Sequence, residues 1–118
     1  MREKEVDNFD LSAWRIAGVG AETIRTESLE MFADLLAPAG FDRRSFVPCY
    51  GMAECSLAVS FSPLGQGVDV DHVDGSALAE EQQALPLNPT QGKTMAFSNK
   101  FTHCGAPLPG FDVEIRDD

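Results

Sequence analysis

An aromatic ring, a glycine and a carboxylate occur within five residues, between two apolar stretches of the chain. The segment "YGMAE", residues 50–54, follows the apolar residues 46–49 and precedes the apolar residues 57–61. A chain reversal uses the glycine but requires neither an aromatic ring nor a carboxylate. Tyr50 offers a flat face for a heterocycle, and Glu54 is a hard oxygen ligand suited to Mg²⁺. The segment therefore predicts a site for a flat heterocycle whose phosphates a magnesium ion bridges.

A second turn with accessible backbone groups follows an earlier predicted strand. Residues 14–17 alternate apolar side chains with polar or small ones, and they run into Gly18-Val19-Gly20-Ala21-Glu22. Peptide groups near Gly20 and Ala21 are available to hydrogen-bond a ligand. The structural alternative remains open at this point: Tyr50 then anchors a turn and Glu54 is a solvated acid.

The elements that must position these turns form a strand, a helix and a strand. Thr26 is a plausible helix cap, and Leu29, Phe32, Ala33 and Leu36 share one helical face, which predicts a core-facing helix that Pro38 and Gly40 end. Residues 46–50 predict the second strand, and residues 57–61 fit either a helix or a strand. The order favours an α/β fold with a mainly parallel or mixed sheet and flanking helices. In such sheets ligands collect where strands end, so we expect the two turns to face each other.

The remainder of the chain is predicted as one domain, residues 1–118, with residues 1–9 as a flexible lead-in. Alternation predicts an edge strand over residues 68–73 and another strand over residues 113–116. Residues 76–83 favour a short acidic helix, residues 85–94 are irregular, and the Pro and Gly residues of 104–110 predict a rigid turn.

The composition excludes several classes of partner. Nine Lys and Arg against nineteen Asp and Glu give a net charge of −10, and the cations are scattered, so we expect neither nucleic acid nor a membrane surface as a partner. No apolar run is long enough for a membrane span. Three cysteines and the lack of a secretion signal favour a reducing cytoplasm.

Several other sequence patterns are weaker indications of a functional site. Residues 91–94, "QGKT", resemble the end of a Walker loop, but Leu87 stands where that loop requires glycine. The spacing of the three cysteines and His103 does not fit a compact zinc site, which predicts small buried thiols. For His103 we expect hydrogen bonding within a turn, because no orienting carboxylate is evident in the sequence. Trp14 is expected to pack in the sheet.

Three ordered blocks of the sequence resemble one enzyme family. "DLSAWRIAGVGAETIR", "FVPCYGMAECSLAVSF" and "CGAPLPGFDVEIRDD" are similar, in this order, to segments of fatty acyl-AMP ligases and acyl-CoA synthetases of the adenylate-forming superfamily. Such enzymes use ATP and Mg²⁺ to convert a fatty acid into an acyl-adenylate. They then pass the acyl group to the pantetheine thiol of coenzyme A or of an acyl carrier protein. The resemblance leaves the acceptor and the acyl chain length open.

The resemblance implies roles for two groups of residues. Gly20, Ala21 and Glu22 match the segment that lines the adenine and acyl pockets. Tyr50 matches the aromatic residue that stacks on adenine, and Glu54 matches the acid that binds magnesium. The full set implied for nucleotide binding is Gly20, Ala21, Glu22, Tyr50, Gly51, Met52, Ala53 and Glu54. Ala53 replaces a threonine that contacts phosphate in many members, and Val19 departs from a double glycine.

The chain lacks a Ser/Thr/Gly-rich phosphate loop followed by lysine, a ribose-binding Asp and a late catalytic lysine of the family pattern. The first hypothesis is therefore an excised middle piece of an adenylating enzyme, a subdomain of its larger fold, that is inactive alone. The second is a non-catalytic structural or protein-interaction domain. A third hypothesis is weak nucleotide binding by the fragment alone. Apolar surfaces that the parent enzyme buries would be exposed on the fragment and would favour its self-association.

Overall fold

The computed structural model describes Val6 and residues 8–87 and 98–116. Within these residues the chain forms six strands and two α-helices, joined by turns and three single-turn 3₁₀ segments. In chain order the strands and α-helices are β1 (Ala17–Val19), α1 (Thr26–Leu36), β2 (Phe46–Met52), β3 (Leu57–Phe61), β4 (Val70–Asp74), α2 (Gly75–Glu81), β5 (Ser98–Thr102) and β6 (Ala106–Pro107).

The sheet that carries both predicted turns is mixed. Over the described residues its strand order is β1-β2-β3-β6, with β1 and β2 parallel and the other two pairs antiparallel. The β1–β2 register places Ala17 opposite Phe46 and Val19 opposite Pro48. The expected α/β fold with a mixed sheet and flanking helices is confirmed, and residues 57–61 form a strand.

Helix α1 covers the start of the parallel pair through its apolar face. Ala33 and Leu36 are buried, and they join Phe41 and Phe46 in one core cluster with β1. The rings of Phe32, Phe41 and Phe46 meet at centroid distances of 5.2–5.9 Å. The predicted helical stripe therefore faces the core, and this packing fixes α1 between β1 and β2.

The sequence correctly predicted where α1 stops but not the residue that caps its start. Thr26 is not the cap: it is the first helical residue and is buried, and Arg25 occupies the capping position without a side-chain hydrogen bond. At the other end, residues 37–39 form a 3₁₀ turn, and Gly40 adopts a φ of 87° and ends the segment, as predicted. Glycine suits this left-handed conformation because it has no Cβ.

Trp14 does not pack within the sheet as expected. It precedes β1, its indole N–H donates to the Ile16 carbonyl at 2.7 Å, and its ring contacts Phe32 and Phe41 edge-on. The predicted strand over residues 14–17 thus begins only at Ala17. These edge-on ring contacts hold Trp14 at the aromatic cluster beside α1.

A separate antiparallel ribbon of β4 and β5 follows the mixed sheet. The edge strand predicted over 68–73 and the helix predicted over 76–83 are both present, displaced by one or two residues. Asp74 caps α2 because its Oδ1 accepts hydrogen bonds from the backbone N–H groups of Ser76 and Ala77 at 3.0 and 3.3 Å. No strand was predicted for residues 98–102, which form β5.

The last segment differs from the sequence prediction. Residues 113–116 are not a strand, and no ladder partner for them occurs among the described residues. Instead the predicted turn over 104–110 contains β6, which pairs with β3. The Walker-like residues 91–94 and part of the irregular segment 85–94 lie outside the described residues. So does most of the predicted lead-in 1–9, although Val6 is buried in the core cluster.

Gly51 provides a test of the β2–β3 hairpin. The register shifts between Tyr50 and Gly51, and a Cβ at Gly51 would overlap the backbone carbonyl of Leu57. We expect Gly51→Ala to lower the free energy of unfolding by about 1–3 kcal/mol or more. Urea unfolding, followed by fluorescence of the single tryptophan, measures this change.

Gly18→Ala is the matched control, because a Cβ at Gly18 would have no heavy atom within 4 Å. This variant should unfold at the same urea concentration as the original chain or a higher one. Equal destabilisation by the two substitutions would contradict the close approach of β2 to β3 at Gly51.

Candidate functional site

The two predicted turns lie at the same edge of the sheet. Because β1 and β2 are parallel, their carboxyl ends point to one edge. The Cys49 thiol donates to the Val19 carbonyl at 3.3 Å, and a Cβ at Gly20 would lie 2.7 Å from the Cys49 carbonyl oxygen. The loop after β1 therefore rests directly on the end of β2, and glycine at position 20 permits this contact.

A cleft of about 350 Å³ opens beside this contact. One wall is the loop after β1, the floor is the end of β2, and the other wall consists of residues 100–102 of β5 together with Cys104. Tyr50 lies at the cleft with 49% of its surface exposed, so one part of its ring is available to a ligand. The lining residues are Ala21, Glu22, Thr23, Ile24, Cys49, Tyr50, Gly51, Lys100, Phe101, Thr102 and Cys104.

Only part of the predicted nucleotide-binding set lines this cleft. Ala21, Glu22, Tyr50 and Gly51 line it, whereas Gly20, the first residue of the loop after β1, lies against Cys49 and outside the lining. Met52, Ala53 and Glu54 do not appear in its lining. The roles assigned to these eight residues remain predictions.

Segment 50–54 is not a simple turn. Residues 50–52 continue β2 and pair with β3, and the reversal occurs in the 3₁₀ segment Ala53–Cys55. Glu54 is exposed at this hairpin tip. Tyr50 therefore lies in the cleft lining, whereas Glu54 lies at the hairpin tip and outside that lining.

Glu54 is a single candidate ligand for a metal ion. Within the described residues, no group of three or more His, Cys, Asp or Glu side chains converges on one point. Mg²⁺ commonly uses one or two carboxylates together with substrate phosphates and water. The exposed Glu54 offers one such carboxylate, and it would need substrate phosphates and water to complete a metal site.

Ala21 has an unusual backbone conformation in the loop after β1. Its φ is 72°, in the left-handed region that residues with a Cβ adopt at a cost of about 1–2 kcal/mol. Strained backbone of this kind is frequent at ligand sites, where it directs peptide groups toward the ligand.

Two cysteines line the cleft, and all three in the chain are free and half-buried. Burial raises the pKa of the Cys104 thiol, and neighbouring Cys49 raises it further. A raised pKa keeps Cys104 protonated and weakly nucleophilic at neutral pH. The three thiols were predicted to be buried, and the structure leaves them half-buried.

His103 does have a carboxylate partner. Its Nε2 lies 3.3 Å from Asp71 Oδ2, across the β4–β5 ribbon. The sequence expectation of no orienting carboxylate was therefore wrong, because pairing with β4 brings in a residue 32 positions earlier. The backbone of His103 is held by long-range hydrogen bonds rather than by bonds within a turn: its N–H donates to the Asp69 carbonyl, and its carbonyl accepts from the Ser62 hydroxyl.

Sequence reasoning missed the wall formed by Lys100, Phe101 and Thr102. Residues 98–102, "SNKFT", lack apolar alternation, so no strand was predicted there. The hydroxyl of Thr102 is buried without a hydrogen-bond partner among the described residues. Among the described lining residues, Lys100 carries the positive charge and Glu22 carries the negative charge.

Curated proteins with similar sequences are named as acyl-CoA synthetases or as fatty-acid ligases. A Caulobacter vibrioides protein named among the acyl-CoA synthetases is 40% identical over 115 residues, which cover 98% of this chain and 19% of that protein. The medium-chain-fatty-acid–[acyl-carrier-protein] ligase JamA of Moorena producens is 35% identical over 92% of this chain and 18% of its own length. This chain spans about a fifth of such relatives.

Solved structures give the same result for the fold. One from a study of fatty acyl-adenylate ligases from E. coli and L. pneumophila matches 92% of this chain with a TM-score of 0.84 and 40% identity. A fatty acyl-adenylate ligase from L. pneumophila in complex with acyl adenylate and pyrophosphate matches 91% with a TM-score of 0.77 and 29% identity. These matches cover 19% and 18% of the two chains. No family model matches the sequence.

Ala21 provides a test of the loop conformation. Ala21→Gly should raise the free energy of unfolding by up to about 1 kcal/mol, because glycine adopts a positive φ without the Cβ penalty. Ala79→Gly, the same chemical change in α2, should instead lower it by about 1 kcal/mol. Urea unfolding of both variants measures the difference. A loss of stability in Ala21→Gly as large as that in Ala79→Gly would contradict the left-handed conformation.

Proposed function

We propose that this chain, which is homologous to one segment of the fatty acyl-AMP ligases and acyl-CoA synthetases of the adenylate-forming superfamily, forms part of the nucleotide and acyl site of such a ligase. The longer protein activates a fatty acid with ATP. It then transfers the acyl group to a pantetheine thiol, and the 118-residue segment alone is inactive.

The observation that carries this proposal is the meeting of two separate loops at one cleft. Tyr50 from β2 and Ala21 from the loop after β1 line the same cavity of about 350 Å³. A half-exposed phenol ring opposite a strained peptide segment suits a purine, which needs one stacking surface and several edge hydrogen bonds. The relatives at 40% and 35% identity support the same assignment.

In the proposed reaction a carboxylate oxygen of the fatty acid attacks the α-phosphorus of ATP. The new bond joins that oxygen to phosphorus, the bond to the β-phosphate bridge breaks, and pyrophosphate leaves. A thiol then attacks the acyl carbon, and AMP leaves with the bonding electrons. The residues of this segment orient the substrates: Tyr50 and the Ala21 loop hold the base, and Glu54 would hold Mg²⁺. Mg²⁺, when bound, would neutralise negative charge on the phosphates.

The acceptor thiol belongs either to coenzyme A or to an acyl carrier protein, since the similar proteins are named for both. A cytoplasmic location fits the free cysteines. In the part of the chain that the structure describes, none of the helices has the length and hydropathy needed to span a bilayer.

Several large apolar side chains are exposed on this segment. Ile115 is 95% exposed, and Met31 and Leu57 are each 73% exposed. We propose that the rest of the longer ligase covers these side chains. Without that cover the same surfaces would favour self-association of the segment.

The roles of Tyr50 and Glu54 can be separated by fatty-acid-dependent ATP–pyrophosphate exchange in the longer ligase. Tyr50→Ala should raise KM for ATP about two- to tenfold through lost stacking, and Tyr50→Phe should retain the original value. Glu54→Gln should lower the exchange rate by about tenfold or more, and added Mg²⁺ should restore part of that rate.

Added Mg²⁺ should not restore Tyr50→Ala, because its defect concerns the base and not the phosphates. Unchanged exchange kinetics in both Tyr50→Ala and Glu54→Gln would overturn the proposed roles. A longer protein with no fatty-acid-dependent exchange at all would favour a non-catalytic domain.

A further inference from the structure

We propose that the Lys100 ammonium binds the anionic group of a ligand in this cleft and that it pairs with Glu27 when no ligand is bound. The inference rests on the proposed function. The ligand chemistry is a phosphate or a carboxylate, which a lysine ammonium binds in the same way. The two sources in this reaction are the α-phosphate of the nucleotide and the carboxylate of the fatty acid.

The first observation is the charge of the cleft. The chain carries a net charge of −10, so an anionic ligand needs a local cation. In the described lining, Lys100 is that cation and Glu22 is the carboxylate. Lys100 lies on β5, which faces the loop after β1 across the cleft. A ligand held by Tyr50 therefore lies between this loop and the lysine strand.

The second observation is that the present partner of Lys100 is replaceable. The Lys100 ammonium lies 2.8 Å from Glu27 Oε1, and the two side chains are 35% and 62% exposed. Exposed ion pairs of this kind stabilise a fold little, so exchange of one carboxylate for another anion costs little. Lys100 also has a long unbranched stem with several rotatable bonds, so its ammonium can move without a change in β5.

Glu27 is stabilised at its position without Lys100. It lies in the first turn of α1, where the helix dipole favours a carboxylate. When Lys100 turns to a ligand, Glu27 is left in solvent at a helix N-terminus and not as a buried unpaired charge. Glu27 is therefore a competitor for Lys100, and removing its charge should help an anionic ligand.

Competition between Glu27 and a ligand for Lys100 predicts effects on binding that a purely structural ion pair would not produce. Kd values for AMP, adenosine, octanoate and octan-1-ol are measured by calorimetry on the longer ligase and its variants. Lys100→Met should weaken binding of the anion that Lys100 receives about tenfold and leave the matching neutral ligand within about twofold. Lys100→Arg should retain most of the affinity. Glu27→Gln should tighten binding of the same anion about two- to fivefold.

Glu80→Gln controls for the change in net charge, because Glu80 is exposed on α2 and does not line the cleft. It should leave all four Kd values unchanged. An effect of Lys100→Met on AMP but not on octanoate assigns the phosphate as the anion, and the reverse assigns the carboxylate. Thermal unfolding of each variant verifies that the fold is retained.

Three outcomes overturn the inference. Weaker binding in both Lys100→Met and Glu27→Gln would show that the ion pair only supports the fold. Unchanged AMP and octanoate binding in Lys100→Met would remove the role of Lys100 while leaving the proposed function intact. Binding of neither AMP nor octanoate to the unaltered ligase would overturn the proposed function together with this inference.

Discussion

The parallel pairing of β1 with β2 is the constraint on which the candidate site depends. Helix α1 connects the two strands, and its buried face packs with Phe41 and Phe46 in one cluster. This cluster fixes the beginnings of both strands, so their carboxyl ends must emerge at the same edge. The contact between Gly20 and Cys49 is a direct consequence, and it leaves Tyr50 beside the Ala21 loop.

The second wall of the cleft depends on a different set of interactions. The β4–β5 ribbon is not part of the mixed sheet, and several polar contacts connect it and the residues after it to that sheet and to α1. Ser60 and Ser62 donate to the carbonyls of Cys104 and His103 at 2.9 and 3.0 Å, and Lys100 reaches Glu27 at 2.8 Å. Of these contacts, the Lys100–Glu27 pair is the exposed one, whereas the two serine hydrogen bonds are partly buried.

The sequence predicted those features that have a local cause. Helix α1 follows from apolar spacing and from the Gly40 stop, and the adjacency of the two turns follows from the strand–helix–strand order. Features with a non-local cause were missed: β5 has no alternation of its own and exists through pairing with β4, and Asp71 meets His103 only across that ribbon. Residues 113–116 alternate, yet they have no ladder partner among the described residues, so alternation alone did not make a strand. The position of Glu54 at a hairpin tip likewise depended on pairing between β2 and β3, which no single segment specifies.

The most direct test of the central claim is a crystal structure of the longer ligase with a bound acyl-adenylate. The account predicts that the adenine ring stacks on Tyr50 at about 3.5–4 Å and that its edge meets the peptide groups of the loop after β1. An adenine ring bound elsewhere, with the Tyr50 ring facing only protein or solvent, would contradict it.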